Sequence, residues 1–492
     1  TFSSRGLGDV YKRQTYKGLD ISPTVSSVNT NNFESSALPA NIVITGSNFS
    51  SSVIVKFIGA NGADISSPSV TIDSATQITA QIPNTVTSVN EPYKVQVTNV
   101  SSGFSGILEN AFNIDAAPVF GVAAGSLGTL SSLGSASSLT TVTATDDEGD
   151  SITFSVTAGS LPSGITLNSN GTFSGTASAV GSTTTATFSI TASDGTNTSV
   201  RQYTITVNPV YVQLSGSGTW TPPSGVNSAE ILLVGGGASG SRSANVGGGG
   251  GGGGGVVHAS SYTFTNTDKS SGIAYSVGSG GNGVGMTPYA HDGGYFNGGD
   301  TTFAISGGTI TAKGGGGGAG YGGNSPHLSG FSQAYYSANQ GGSGGGGAYV
   351  YYTGASSNQG TFSGWTSYGN AGGAGHSDYT GGGGGGAGAG GGNASTSSNA
   401  GGAGGAGQLF SSFTAYGENG YFGGGGAGGA QGSTEPQGGI GGGGNGGYTL
   451  NRSGSNATDG TGGGGGGSSS NGYNNFTYKS GDGGNGTILI KY

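Results

Sequence analysis

Few side chains in this sequence are of the kinds that perform chemistry, and their spacing argues against catalysis. The four histidines, His258, His291, His327 and His376, show no metal-ligand spacing, and there is no cysteine to complete a zinc site. His291-Asp292 is an adjacent pair that reads as an exposed turn. Matches to Gly-x-Gly-x-x-Gly are abundant because glycine runs generate them, and no Gly-Lys-Ser/Thr phosphate loop follows any. Gly-x-Ser-x-Gly in a strand-turn-helix setting is absent, and no helix is evident. Paired carboxylates for glycoside hydrolysis are not excluded by spacing, but acidic residues are scarce in the second half. The chain reads as a non-enzyme without a cofactor, one cation site aside.

That site is an acidic turn, Asp146-Asp147-Glu148-Gly149-Asp150, between two strand-like segments. Ca²⁺ takes several carboxylate and carbonyl oxygens at once, and Asp146, Asp147, Glu148 and Asp150 could supply some of them. A solvated hairpin turn is the alternative. If calcium binds, the expected effect is stiffening between domains.

A second group of residues is suited to binding rather than reaction. Tyr335, Tyr336, Tyr349, Tyr351, Tyr352, Trp365, Tyr368, Tyr379, Tyr416, Tyr421 and Phe422 lie in segments between glycine runs, among Ser, Gly and Asn. Paratopes have this composition: rigid rings give contact area at low entropic cost, and small polar residues adapt hydrogen bonds. The rings could also stack on sugars. The alternative is that individual rings pack over the edge of a scaffold.

Composition narrows the partners. At 492 residues the chain holds two to four domains. Charged residues make up 7%, against roughly 25% in ordinary soluble domains. The formal charge of −9 comes with no basic block, which argues against nucleic acid, because phosphate binding needs clustered Lys and Arg. No apolar run approaches the roughly 20 residues of a membrane helix, so membrane insertion is not expected. Asp9-Val10-Tyr11-Lys12-Arg13-Gln14 is what GAT GTG TAT AAG AGA CAG encodes, which resembles a transposase end sequence used in preparing sequencing libraries. Thr1 to Gln14 is therefore read as translated adapter and set aside. A genuine basic segment is the alternative. On the adapter reading the true start is missing, and the lack of a signal peptide says nothing about export.

The elements that must position these residues are all β. Of 114 glycines, 19 precede residue 201, and the composition shifts near Asn208-Pro209-Val210. Asp20 to Asp115 alternates short strands with turns: Ile42 to Phe49, Val53 to Phe57, Gln77 to Pro83 and Tyr93 to Asn99. Ala116 to Pro209 repeats the pattern, although Ala117 to Ser138 is small and poor in apolar residues. From 210 onward, strands at Trp220 to Val234 and Thr487 to Tyr492 bracket glycine runs. Collagen is excluded for those runs, since Gly-X-Y periodicity and abundant proline are absent. Disorder and a bundle of polyglycine II helices remain. Recurrence of the runs between anchoring strands favours the bundle. Such a bundle is stable only if nearly every interior amide is paired, because glycine loses most freedom on ordering and buries no side chain.

Three resemblances sharpen this reading. Residues 20–115, through Ile44-Thr45-Gly46-Ser47-Asn48-Phe49 with Pro83 and Tyr93 to Asn99, resemble an IPT/TIG immunoglobulin-like domain, often a spacer. Residues 116–209, through LPSGITLNSNGTFSGT, resemble a cadherin-like, immunoglobulin-like domain of bacterial and phage surface proteins. Residues 210–492, through GTWTPPSGVNSAEILLVGGG, TTFAISGGTITAKGGGGG and GGNGTILIKY, resemble the glycine-rich domain of phage tail-fibre proteins. The glycine runs are also similar to those in tip adhesins of T-even-type phages, whose polyglycine II helices form a sandwich with variable loops at one end. These resemblances imply two immunoglobulin-like sandwiches followed by a receptor-binding head on a virion. Its partners would be a host surface glycan or protein and other tail-fibre subunits. A secreted or cell-anchored bacterial adhesin with the same modules, and a glycine-rich matrix protein, are the competing readings.

Overall fold

A computed structural model describes residues 22–243, 246–285, 296–322, 334–349, 353–395, 399–449, 452–470 and 478–492. The segment read as adapter, 1–14, lies outside them. By compactness the chain divides into two units, one ending at Ala177 and resuming over Thr184–Asn208, the other formed by Ser178–Thr183 and Pro209–Tyr492.

The first unit holds two β-sandwiches. In the first, Thr24–Val28, Ala40–Ser47, Gln77–Ile82 and Val70–Ser74 form one sheet, with Ala40–Ser47 and Gln77–Ile82 at its centre. The facing sheet runs Asn32–Glu34, Ser105–Asp115, Tyr93–Asn99, Val53–Ile58, Asp64–Ser66. Alternation decides which side chains go inside: along Tyr93–Asn99 every second residue is buried. Ile42, Ile44, Phe57, Ile78, Tyr93, Val95 and Ile114 form a fully buried core. The Tyr93 hydroxyl, deep in that core, donates to Thr87 O (3.0 Å) and accepts from Thr87 N–H (3.1 Å). In Ile44 to Phe49 the glycine is obligatory, because a Cβ on Gly46 would stand within 3.0 Å of Thr24 O and the Phe49 ring.

The second sandwich is built on Gly125–Ser131, Thr198–Asn208, Thr184–Ser193 and Thr153–Gly159, with the ribbon Ile165–Leu167/Phe173–Gly175. Within the stretch of small residues from Ala117 to Ser138, Val119–Phe120 and Gly125–Ser131 are strands, and Phe120, Leu127 and Leu130 are buried. The register slips between Ser126 and Thr129, so the buried leucines are three apart and the alternation is hidden.

In the second unit, Tyr211–Leu214, Thr487–Lys491, Ser228–Val234, Val256–Thr263 and Thr366–Tyr368 form one sheet, and Ser217–Trp220, Ile273–Ser276, Thr301–Ile305 and Gly308–Ala312 another. The bracketing strands pair directly, Val234 opposite Thr487 and Glu230 opposite Lys491. One expectation fails: Asn266–Ser271 is a short α-helix. Thr265 and Asp268 close a capping box at its start, each side chain binding the other's backbone N–H.

The glycine runs leave and re-enter this frame as extended segments joined to one another by their amides. Gly247–Gly255 shows the rule. Its N–H groups at 249, 252 and 255 donate to Ala319, Gly316 and Lys313; those at 250 and 253 to Gly382 and Gly385; those at 248, 251 and 254 to Ser468, Gly465 and Gly462, all at 2.8–3.0 Å. Its carbonyls accept from three further segments: Ala238 and Ser241, Ser343 and Gly346, Gly426 and Gly429. Partners change with a period of three, the symmetry of polyglycine II. A Cβ on Gly251 would stand within 3.0 Å of the Ala238 and Ser239 carbonyls, so only glycine permits this spacing.

Candidate binding surface

Because the segments alternate in direction, the bundle has two ends. Gly255 enters Val256–Thr263 and marks the sheet end. Gly247, eight residues earlier and roughly 25 Å away at polyglycine II rise, marks the far end. The turns at the far end join into one surface. Tyr379 O accepts from Gly247 N–H (2.6 Å), Ala374 O from Ala394 N–H (2.9 Å), Asn399 O from Gly432 N–H (3.0 Å) and Gly432 O from Thr449 N–H (2.8 Å).

Tyr349 and Tyr379 meet there. Their rings stack with centroids 5.3 Å apart, Tyr379 being 44% exposed. Tyr349 (φ 54°), Tyr379 (φ 66°), Asn399 (φ 47°) and Thr449 (φ 45°) all hold left-handed backbone conformations. For a tyrosine or threonine that conformation is unfavourable, and such outliers gather at functional sites. The hairpin carrying Tyr379 is closed by His376 N–H donating to Thr380 O (3.0 Å), and the His376 ring Nδ1 accepts from Asp378 N–H (3.2 Å). Beside Thr449, the Arg452 guanidinium lies 5.3 Å from the Tyr448 ring centroid. Neither Tyr448 nor Arg452 was singled out from the sequence; a basic residue four positions after a tyrosine was the available signal. Tyr335 and Tyr336 lie on Ala334–Tyr336, paired with Gly320–Gly322 directly beyond Ala319. Tyr351 and Tyr352 lie outside the described residues.

The other nominated rings sit at the sheet end. Tyr368, on Thr366–Tyr368, meets Phe410 edge-on at 5.6 Å. Trp365 lies 5.7 Å from Tyr262, whose hydroxyl donates to Asp268 (2.9 Å). Burial, then that carboxylate, raises the Tyr262 hydroxyl to about 12. Tyr416 packs against Tyr211 and the core, and Tyr421 is half-buried in the ribbon with Gln408–Leu409. Phe422 is fully buried among Leu232, Val234, Val256, Phe413 and Leu489. It is a core residue and not a loop contact. The nominated aromatics therefore do not form one surface.

His258, one of the two histidines among the described residues, has a structural setting. Its Nε2 lies 3.0 Å from Glu230 Oε1, and Lys491 Nζ lies 3.4 Å from Glu230 Oε2. Burial opposes ionisation of Glu230, yet bonds from His258 and Ser412 and the Lys491 charge hold its carboxyl below the usual range.

In the first unit the acidic turn splits. Asp147 and Asp150 are exposed, Asp147 accepting from Ser88 Oγ at 3.4 Å. Asp146 Oδ1 accepts from Glu148 N–H and Asp150 N–H, both 3.1 Å, while Glu148 Oε2 accepts from Ala116 N–H at 3.4 Å. Among the described residues no three His, Asp or Glu side chains form a ready metal cage.

Comparison with known proteins agrees with this architecture. Residues 212–492 match the family model described as Glycine-rich domain, 122–208 that of "Putative Ig domain", and 23–111 that of IPT/TIG domain. No curated protein matches the chain. Among solved structures, extracellular domains 3–5 of Drosophila OTK are similar at 16% identity and TM-score 0.24 over 38% of this chain, which spans 62% of that fragment. Drosophila N-cadherin EC1–4 is similar at 16% identity and TM-score 0.23, covering 38% of this chain and 50% of that one. The titin I-band fragment I67–I69 is similar at 11% identity and TM-score 0.25, covering 43% and 79%. The three matching family models describe immunoglobulin-like modules and a glycine-rich domain, and none of the three is an enzyme family. Among the described residues no helix is long and apolar enough to cross a membrane.

Proposed function

Since the chain belongs to the glycine-rich domain family over 212–492, we propose that this domain is the binding head of an adhesin. In this reading the two sandwiches are spacers, the adhesin is a phage tail fibre or fibre tip, and its target is a host surface glycan or outer-membrane protein. Other fibre subunits would be its neighbours in the virion. The observation that supports it is the far end of the bundle. There, turns from separate segments are locked together, and the stacked Tyr349–Tyr379 pair is displayed on backbone that an L-residue adopts only at a cost. A secreted bacterial adhesin would use the same surface. A disordered matrix protein would not: a run whose amides find partners on six sides is ordered.

The test is retention of the full chain on a panel of bacterial cells, comparing Tyr349→Ala and Tyr379→Ala with Trp365→Ala and Tyr416→Ala. Loss confined to the far-end pair is expected. Loss confined to the sheet-end pair would move the binding surface to the frame.

A further inference from the structure

Charge is scarce enough in this chain that the place of one exposed arginine is informative. Three arginines lie among the described residues. Arg201 donates to Val122 O (2.8 Å), Arg242 is buried in the bundle, and Arg452 alone is exposed. The Arg452 guanidinium stands over the Tyr448 ring, within the roughly 6 Å of a cation–π contact. Among the described residues no Asp or Glu forms an ion pair with it. Stacking on a ring holds the planar fork in place, so less freedom is lost when an anion arrives.

Arg452 belongs to the same surface as the stacked tyrosines. Tyr379 O accepts from Gly247 N–H, Gly247 pairs with Ser469 in an isolated bridge, and Ser469 and Arg452 exchange both backbone bonds (2.9 and 3.1 Å). Three chain spacings, roughly 15 Å, therefore bound the backbone distance from Tyr379 to Arg452. Thr380, which follows Tyr379, and Ser469 are fully buried on this path, and their hydroxyls bond to nothing. Buried hydroxyls without partners are uncommon, and bridging water or ligand oxygens are what satisfies them. Asp378 stands in the Tyr379 hairpin, 3.9 Å from His376 Nδ1, so an anionic group would settle at the Arg452 side of the strip.

On the reading that the far end is the binding surface, we propose that it takes an acidic saccharide, with sugar faces against Tyr349 and Tyr379 and a carboxylate or phosphate on Arg452. An aromatic face is slightly negative and suits the C–H face of a sugar ring. The guanidinium offers paired donors whose geometry matches either anion. A neutral glycan would use the rings and leave the guanidinium idle.

Retention of the full chain on bacterial cells that hold it, competed by soluble polymers, tests this. Polygalacturonate supplies carboxylates, a glycerol-phosphate polymer supplies phosphates, and dextran supplies neutral sugar. One acidic polymer should displace the chain at a concentration at least about tenfold below dextran, and which one does so names the anionic group. Arg452→Gln should weaken retention at least about tenfold. The parent's loss of retention between about 0.1 M and about 1 M NaCl should disappear with it. Arg452→Lys should recover little, since a lysine presents no planar fork. Arg452→Gln should also keep the slow hydrogen exchange of 247–255; losing it would make the residue structural and overturn the proposal. Displacement by dextran as readily as by the acidic polymers, or by none of the three, as for a protein receptor, overturns it too. If Arg452→Gln is retained like the parent while Tyr379→Ala is lost, the acidic ligand falls and the binding surface stands. If both are retained, the surface falls as well.

Discussion

Ile78 in the first sandwich and Gly251 in the glycine bundle are both buried, for opposite reasons. Around Ile78 the backbones are held apart by side chains that fill the space, and stability comes from apolar area withdrawn from water. Around Gly251 the nearest neighbours are main-chain atoms: Gly251 N–H and O each meet a neighbouring main chain, and stability rests on pairing every amide. The first arrangement tolerates a smaller residue at a cost; the second tolerates no larger residue at all. A core of side chains degrades gradually, whereas a core of backbone is all or nothing.

Substitutions can break that contrast. The largest effect should come from Gly251→Val or Gly463→Val, whose Cβ atoms would stand within 3.0 Å of carbonyls on adjacent segments. Each should cost above about 4 kcal/mol and abolish the slow hydrogen exchange of 247–255, read by deuterium uptake. If either melts like the parent, backbone packing is not what holds the head together. Ile78→Ala should lower the stability of the first sandwich by about 2–5 kcal/mol in denaturant unfolding and leave amide protection of the bundle unchanged. Glu418 offers an intermediate case: its Oε2 accepts from Gly441 N–H (2.7 Å) and Gly442 N–H (2.8 Å), where the chain turns with φ of 99° and 89°. Glu418→Ala should cost about 1–3 kcal/mol, since two amides lose a charged partner.

A pH titration addresses the sandwiches alone. Glu148 has its carboxyl raised from 4.5 to about 7 by burial and by Glu91 and Asp146, so the folded state binds its proton more tightly than the unfolded chain. That contribution is fully present below pH 4.5 and is lost as pH rises through about 7, lowering the melting temperature. The slope should vanish in Glu148→Gln. The smallest effect belongs to Tyr379→Ala, within about 0.5 kcal/mol in stability because the ring is exposed.

The same contrast governs what could be read from the chain. Alternation along Tyr93–Asn99 reports burial residue by residue, so the sandwiches were legible, and they failed to be so only where the bulge between Ser126 and Thr129 broke the period. The bundle was legible as a class from recurring runs between strands. A glycine run, however, does not say which way it points, and that decides whether a flanking ring is displayed or packed. Tyr379 and Tyr416 follow similar runs and end at opposite ends. Gly442, which the sequence places inside a run, is instead the turn that receives Glu418. Thr265-x-x-Asp268, by contrast, was a readable signal for the short helix.

The period of three along Gly247–Gly255 also imposes a rule of phase on how such heads can vary. Inserting one residue into that run would rotate each later amide by about 120°, aiming it at the wrong neighbour on every side. Inserting three would restore the phase and lengthen the rod by about 9 Å. Length changes in the rods are thereby confined to triplets, matched across neighbouring segments, while the far-end turns can change by any number of residues. A lineage under pressure to alter what it grips can thus rewrite its tips freely and leave the shaft untouched.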